Sequence, residues 1–376
     1  MPDRRRHYSR RVVSGDGPKR LLALDGGGIR GVMTLEVLRR LERVLRERTG
    51  RRDLVLADTF DYIGGTSTGA IIAAGLALGF DVDRILELYV QRGAEMFDRS
   101  RLRDRARHFY DAQALAAILK DEVGEDTTLG SDRLRTLLLI VLRNATTDSP
   151  WPISNNPAAR FNDPSLVDCN LGLPLWQLVR ASTAAPIYFP PEKVRLGETE
   201  FVFVDGGLTP YNNPALQLFL MATLEPYGLS WPTGADQMLL VSVGTGNAAH
   251  ARPALSPSEM SLLYHAKATP GALMISAAAQ QDVLCRVLGD CRWGEPIDLE
   301  LGDLQSGSGL LPEPLFTYLR YDLELNEANL DRLGCGDIRL ADVVAIDSVA
   351  HIDELRRVGR AVADLAVDPG HLDGFV

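Results

Sequence analysis

The chain has 376 residues, 45% of them hydrophobic, enough for one large core or two modest ones. A net charge of −10 excludes nucleic-acid binding across the whole surface, and a mean hydropathy near zero is that of a soluble globular protein. Four scattered cysteines (Cys169, Cys285, Cys291, Cys335) lack metal-ligand spacing and exclude a disulfide framework, which suits a reducing, cytoplasmic compartment.

Residues 1–18 form a basic arm. The first twenty positions hold seven Lys and Arg residues against Asp3 and Asp16. A solvated, disordered tail is one reading; an electrostatic tether to anionic lipid is the other, worth at most about 1 kcal/mol per basic residue. No apolar run follows the arginines closely enough for a signal peptide. Arg20–Leu24 then reads as a buried strand ending at an acid and glycines, and Val32–Arg46 has helical apolar spacing. Tyr62–Phe80 carries no charge over nineteen residues. Its opening glycines suit a tight turn and its apolar remainder is too short to span a bilayer, so Tyr62–Gly64 predicts a strand and Thr68–Leu78 a helix buried on all sides.

Asp81 is placed to cap a helix over Val82–Arg92. In 98–111, arginines stand at 99, 101, 103, 105 and 107, on one face of a strand or scattered round a helix; a solvated loop competes with an anion or lipid-phosphate contact. Leu137–Leu142 suits a strand covered on both faces. Pro174 opens a helix over Leu175–Ser182. Phe201–Val204 and Met238–Val243 are further buried strands, the first running into Asp205-Gly206 and the second into Gly244. Beyond His250 the pattern supports a helix Gly271–Leu288, a strand Phe316–Leu323 and a helix Ile352–Leu365. Alternating strands and helices predict an α/β fold: a three-layer α/β/α sandwich with a mostly parallel central sheet.

Three glycine-bearing turns carry the chemistry. Asp25-Gly26-Gly27-Gly28-Ile29-Arg30-Gly31 follows a strand and precedes a helix. It satisfies G-x-G-x-x-G, but the acid a dinucleotide site needs some twenty residues on would fall in an arginine-rich helix and loop. Bare backbone N–H groups and a helix N-terminus still suit an anion, and Arg30 adds a full charge. Gly65-Thr66-Ser67-Thr68-Gly69 matches the nucleophile elbow, G-x-S-x-G between strand and helix; a serine N-cap is the plain alternative. Asp205-Gly206-Gly207 follows a strand and supplies an acid, though alone it is an ordinary turn. A serine nucleophile needs a base. Among the histidines only His250, on a loop after a strand, competes with Asp205 for that role.

These turns resemble the patatin-like phospholipases. "DGGGIRG" matches that family's oxyanion loop, "GTSTG" its nucleophile elbow and "DGG" its aspartate motif. "LWQLVRASTAAPIYFPP" (175–191) and "NNPA" (212–215) match linking segments. The likeness runs from about Leu21 to Gly246, giving a division into the arm 1–18, a patatin-like core 19–246 and a C-terminal α/β region 247–376 expected to pack on the same domain.

The resemblance implies a dyad of Ser67 and Asp205 without histidine. Gly27 and Gly28 would be the oxyanion donors, helped by Arg30; no metal or other cofactor is implied. Asp205 is a weak base, so either burial raises its pKa or the serine proton leaves only as the new bond forms. The implied substrates are acyl esters of glycerolipids, met in transient contact with a membrane surface. A cyclic-nucleotide activator, as in some bacterial defence effectors, rests on the resemblance plus the 99–107 arginines. Competing readings are an acyl hydrolase or transferase on soluble esters and a non-catalytic storage or binding protein.

Overall fold

Alternation of side chains along the first strand already divides the molecule. In β1 (Lys19–Leu24), Leu22 and Leu24 join one buried cluster while Leu21 and Ala23 join another, so both faces of the strand are covered. The computed structural model describes residues 17–97, 112–186, 188–247, 260–305 and 309–376. The basic arm as far as residue 16, the 98–111 arginine stretch and His250 lie outside the described residues.

The remaining strands are β2 (Tyr62–Thr66), β3 (Leu137–Asn144), β4 (Ser149–Ser154), β5 (Glu192–Leu196), β6 (Thr199–Asp205), β7 (Met238–Val243), β8 (Asp290–Trp293) and β9 (Thr317–Tyr321). They form one sheet in the order β5-β6-β3-β2-β1-β7-β9-β8, with β4 also on β3. Pairing is parallel from β3 to β8 and antiparallel where β4 and β6 meet β3 and where β5 meets β6.

One face carries α1 (Gly31–Thr49), α2 (Thr68–Ala77), α3 (Val82–Phe97), α4 (Ala112–Val123) and α5 (Leu175–Ser182). The other carries α6 (Ala215–Thr223) and the C-terminal end of α7 (Leu262–Leu288). The last long helix, α8 (Ile352–Ala366), packs against α1 on the first face. The fold is therefore the expected α/β/α sandwich on a mostly parallel sheet. No helix among the described residues is long and apolar enough to cross a membrane.

The structure corrects one geometric expectation. Alternating strands and helices predict parallel neighbours for the strand before Asp205, but β6 runs antiparallel to β3. β4 occupies one edge of β3 over Leu139–Asn144, so β2 and β6 share the other. There Thr66 pairs with Val141 and Asp205 with Leu142, the next residue along. Two strands thus meet end to end, carboxyl terminus facing carboxyl terminus. Several elements also depart from the sequence reading: α7 starts at Leu262 and runs through Pro270-Gly271, and α4, β4, β5, α6 and β8 were not anticipated.

Residues beyond Gly246 complete the sheet. All five residues of β9 are buried, between β7 and β8. A fragment ending at Gly246 would leave β7, buried at every position, as an unprotected apolar edge. Such a fragment is expected to aggregate or to lose its cooperative melt, read by size exclusion and circular dichroism. A monomeric fragment with a sharp transition would contradict this.

Candidate active site

Ser67 stands where β2 must stop. Its φ of 55° and ψ of −122° are strained for a residue with a side chain, costing about 1–3 kcal/mol, and the turn persists because its neighbours are glycines. A Cβ on Gly65 would lie 2.1 Å from the Gly69 carbonyl oxygen, and one on Gly69 would lie 2.3 Å from that of Leu24. Only glycine lets the start of α2 close so tightly on β1 and β2.

The hydroxyl that this turn presents is already engaged. Ser67 Oγ donates to Asp205 Oδ2 at 2.7 Å, and Asp205 Oδ1 accepts from the Gly207 N–H at 2.6 Å. Burial pushes the Asp205 carboxyl from its ordinary 3.8 up to about 6, against the opposing pull of the Ser67 hydroxyl, the Gly207 amide and the Arg180 charge. The carboxylate is then a usable base near neutral pH, which favours burial as the means of strengthening it.

The "ASTAAP" segment holds both partners by their backbones. Ser182 Oγ accepts the Ser67 N–H at 2.9 Å and donates to the Val141 carbonyl at 2.7 Å. The Ala184 carbonyl accepts the Asp205 N–H at 3.0 Å. Arg180, the residue before that segment, is 1% exposed and lies over the Phe189 ring. The sequence reading assigned no role to Ser182 or Arg180; their place in the quoted segment was the only signal.

The first glycine turn lies directly beside the serine. A Cβ on Gly26 would come within 3.2 Å of the Ser67 Cβ and 2.4 Å of Asn212 Oδ1. The turn is pinned at both ends: Gly26 N–H donates to the Asn212 carbonyl at 3.1 Å and Ile29 N–H to the Ile346 carbonyl at 2.9 Å. Between them, the Gly27 and Gly28 amides have no protein acceptor among the described residues, and both glycines line the same cavity as Ser67 and Asp205. Free, fixed N–H groups beside a nucleophile are what a developing oxyanion requires. Arg30 Nη1 donates to the Gly246 carbonyl at 2.8 Å and Nε reaches the Gly27 carbonyl at 3.5 Å, so its charge sits within the loop it braces.

Other motif residues are structural supports. Asp25 is bound by Arg320, Gly31 packs on Thr68, and a Cβ on Gly206 would lie 2.2 Å from the Val141 carbonyl oxygen. Among histidines with described side chains, His351 faces Asp342 and Glu354, and His371 contacts the Tyr321 hydroxyl; neither touches Ser67 or Asp205. His265's side chain, like His250, falls outside the described residues.

The cavity above the pair has a volume of about 1900 Å³, beyond the roughly 300–1,000 Å³ typical of small-molecule pockets. Phe97, Tyr188, Phe189, Met274 and Ile275 contribute to its apolar walls, and acids including Glu324, Glu327 and Asp331 stand elsewhere in its lining.

A family model described as patatin-like phospholipase matches residues 22–219. Patatin-15 of Solanum tuberosum is 33% identical over 244 residues, covering 60% of this chain and 60% of that protein. Patatin group M-3 of the same plant is 32% identical, with the same coverage. The chain thus spans about 60% of the length of these curated relatives. The crystal structure of VipD from Legionella pneumophila is similar over 93% of this chain and 67% of that one, at 15% identity and a TM-score of 0.40.

The Asp205 environment sets a pH test. A base acts only when ionised, so labelling of Ser67 by a fluorophosphonate should be full above the carboxyl's pKa and fall on acidification through about pH 6. A midpoint near the ordinary 3.8 would mean that burial does not strengthen this carboxylate. A rate indifferent to pH would remove Asp205 from the reaction.

Proposed function

This chain belongs to the patatin-like phospholipase family, and from that premise we propose that it hydrolyses fatty-acyl esters of glycerolipids with Ser67 as nucleophile and Asp205 as its base. The observation that carries the reading is the 2.7 Å hydrogen bond from Ser67 Oγ to Asp205 Oδ2, on the floor of a cavity large enough for an acyl lipid.

Ser67 Oγ attacks the acyl carbonyl carbon while its proton passes to Asp205 Oδ2. The carbonyl π electrons move onto oxygen, which the Gly27 and Gly28 amides receive; one such donor is typically worth about 2.7–4 kcal/mol of transition-state stabilisation. Arg30 adds positive charge from within the loop. The intermediate collapses by expelling the lysolipid alkoxide, which takes the proton back from Asp205. Water then attacks the acyl-serine, again giving its proton to Asp205, and fatty acid leaves as Ser67 recovers its hydrogen. Each proton taken from a nucleophile is returned to a leaving group, so no metal is required to balance the cycle. The apolar cavity walls suit the acyl chain.

Zwitterionic phospholipid vesicles incubated with purified protein should yield free fatty acid and lysolipid, at a rate unchanged by a calcium chelator. Ser67→Ala should abolish release, and Asp205→Asn, which keeps the shape but cannot accept the proton, should lower it by about 10²- to 10⁴-fold. Rapid cleavage of a short-chain soluble ester with no release from vesicles would replace the lipid by a soluble substrate. Folded protein that cleaves neither and takes no fluorophosphonate would overturn the enzymatic reading in favour of a binding role.

A further inference from the structure

We propose that Arg320 and Asp322, at the carboxyl end of β9, are positioning residues for the Gly26–Gly28 loop, so that the oxyanion site is held from residues nearly three hundred positions downstream. The inference deepens, and rests on, the reading of Ser67 as a nucleophile.

Its basis is a chain of hydrogen bonds, buried at Asp25 and Arg320 and part-buried beyond, that runs from the residue before the loop back to the loop itself. The carboxylate of Asp25, the residue before Gly26, receives two parallel bonds from the Arg320 guanidinium: Nη1 to Oδ1 at 2.9 Å and Nη2 to Oδ2 at 2.6 Å. The two side chains are 6% and 5% exposed. Arg320 Nη1 also donates to Ser242 Oγ on β7 at 2.7 Å, and Nη2 to Asp322 Oδ2 at 2.8 Å. The other oxygen of Asp322 accepts the Gly246 N–H at 3.0 Å. The Gly246 carbonyl accepts Arg30 Nη1, whose Nε reaches the Gly27 carbonyl. Asp25, Arg320, Asp322 and Arg30 thus alternate in sign and together cancel.

That arrangement differs from an ion pair that only joins two strands. Its ends are the residue before Gly26 and the peptide of Gly27, the two points that fix where the loop's amides aim. A bidentate Arg–carboxylate pair sets both distance and angle. Fixed donors stabilise a developing anion because they need not reorganise during reaction. Burial pushes the Asp25 carboxyl up, the Arg320 charge opposes this, and the two acids push Arg320 higher still, so the guanidinium keeps its charge. The Ile346 carbonyl adds a second downstream anchor: it takes the Ile29 N–H and would lie 2.2 Å from a Cβ on Gly28. With Asp25, Gly27 and Ile29 all held, the free amides of Gly27 and Gly28 have little room to turn away.

The test compares Asp322→Asn, Arg320→Lys, Arg320→Met and the double variant Asp25→Asn/Arg320→Met with the parent, measuring melting temperature, kcat and KM on a soluble acyl ester, and the pH profile. Misplacing a reacting group by about 1 Å can cost about 10²-fold. Asp322→Asn is accordingly expected to lower kcat by about 10- to 100-fold, with KM within about threefold and the acid limb still near pH 6, since Asp205 is untouched. Arg320→Lys should fall between parent and Arg320→Met. The double variant removes both buried charges, so its melting temperature should recover relative to Arg320→Met while kcat stays low.

Recovery of kcat together with stability in the double variant would reduce the network to a structural ion pair and overturn the proposal. So would an Asp322→Asn variant that melts and turns over like the parent. A parent protein without esterase activity or fluorophosphonate labelling instead refutes the proposed function, and the positioning role falls with it because no oxyanion would form.

Discussion

Two strands cannot occupy the same stretch of a neighbour's edge, and that restriction places Ser67 and Asp205. β3 offers one edge to both β2 and β6, and the two arrive from opposite directions until Thr66 and Asp205 sit on consecutive β3 residues. Each strand must leave the sheet where the other ends, and the glycines after them make the exits possible. Gly206 turns against the Val141 carbonyl, at the residue where Thr66 pairs. The hydroxyl and carboxyl meet across 138 positions of sequence because both chain exits point into the same gap. Ser182 then joins the Ser67 backbone to β3 itself.

The same crowding makes the electrostatics. Asp205 is 3% exposed and Asp25 4%, and burial raises both carboxyls. The chain is acidic overall, yet arginines are drawn inward: Arg180 beneath Asp205's neighbourhood, Arg320 on Asp25, and Arg286 on Asp282. A buried carboxylate without such a partner would take up a proton or pull water in. At Asp25 and Asp205 burial raises the carboxyl, and the charges of Arg320 and Arg180 oppose that rise.

Much of this was legible because turn chemistry is local. An apolar run ending in G-x-S-x-G or Asp-Gly states its own geometry, since only glycine tolerates the carbonyl contacts made at Gly65, Gly69 and Gly206. Strand direction is not local: Phe201–Val204 reads as buried whichever way it runs, and only pairing with β3 makes β6 antiparallel. β4 is not legible because Pro150 and Pro152 argue against a strand. They are tolerated because β4 is bonded on one edge only, so their missing N–H groups can face away from β3. α4 carries an apolar stripe at Leu115, Ile118, Leu119 and Val123 that is local and legible in the sequence. Arg320 was out of reach altogether. Its partner lies 295 positions away, and a single chain carries no sign that the two are joined.

In the proposed mechanism, a carboxylate base in place of an imidazole changes what the site must stabilise. When a neutral histidine accepts a serine proton, a cation appears beside a new oxyanion, and the site must hold a charge pair. When Asp205 accepts it, a carboxylate becomes neutral as the oxyanion forms, so one negative charge moves a few ångströms and none is created. The relevant free energy is then the difference between that charge on Asp205 and on the substrate oxygen. Burial makes it costlier on Asp205, raising the carboxyl to about 6, while the open amides of Gly27 and Gly28 and the charge of Arg30 lower its cost at the loop. A carboxyl raised much further would be protonated at neutral pH and unable to start the reaction; one left near 3.8 would surrender its charge reluctantly. The hydrogen bonds from Ser67 and Gly207 hold Asp205 between those limits, so the residues that position the base also set its strength.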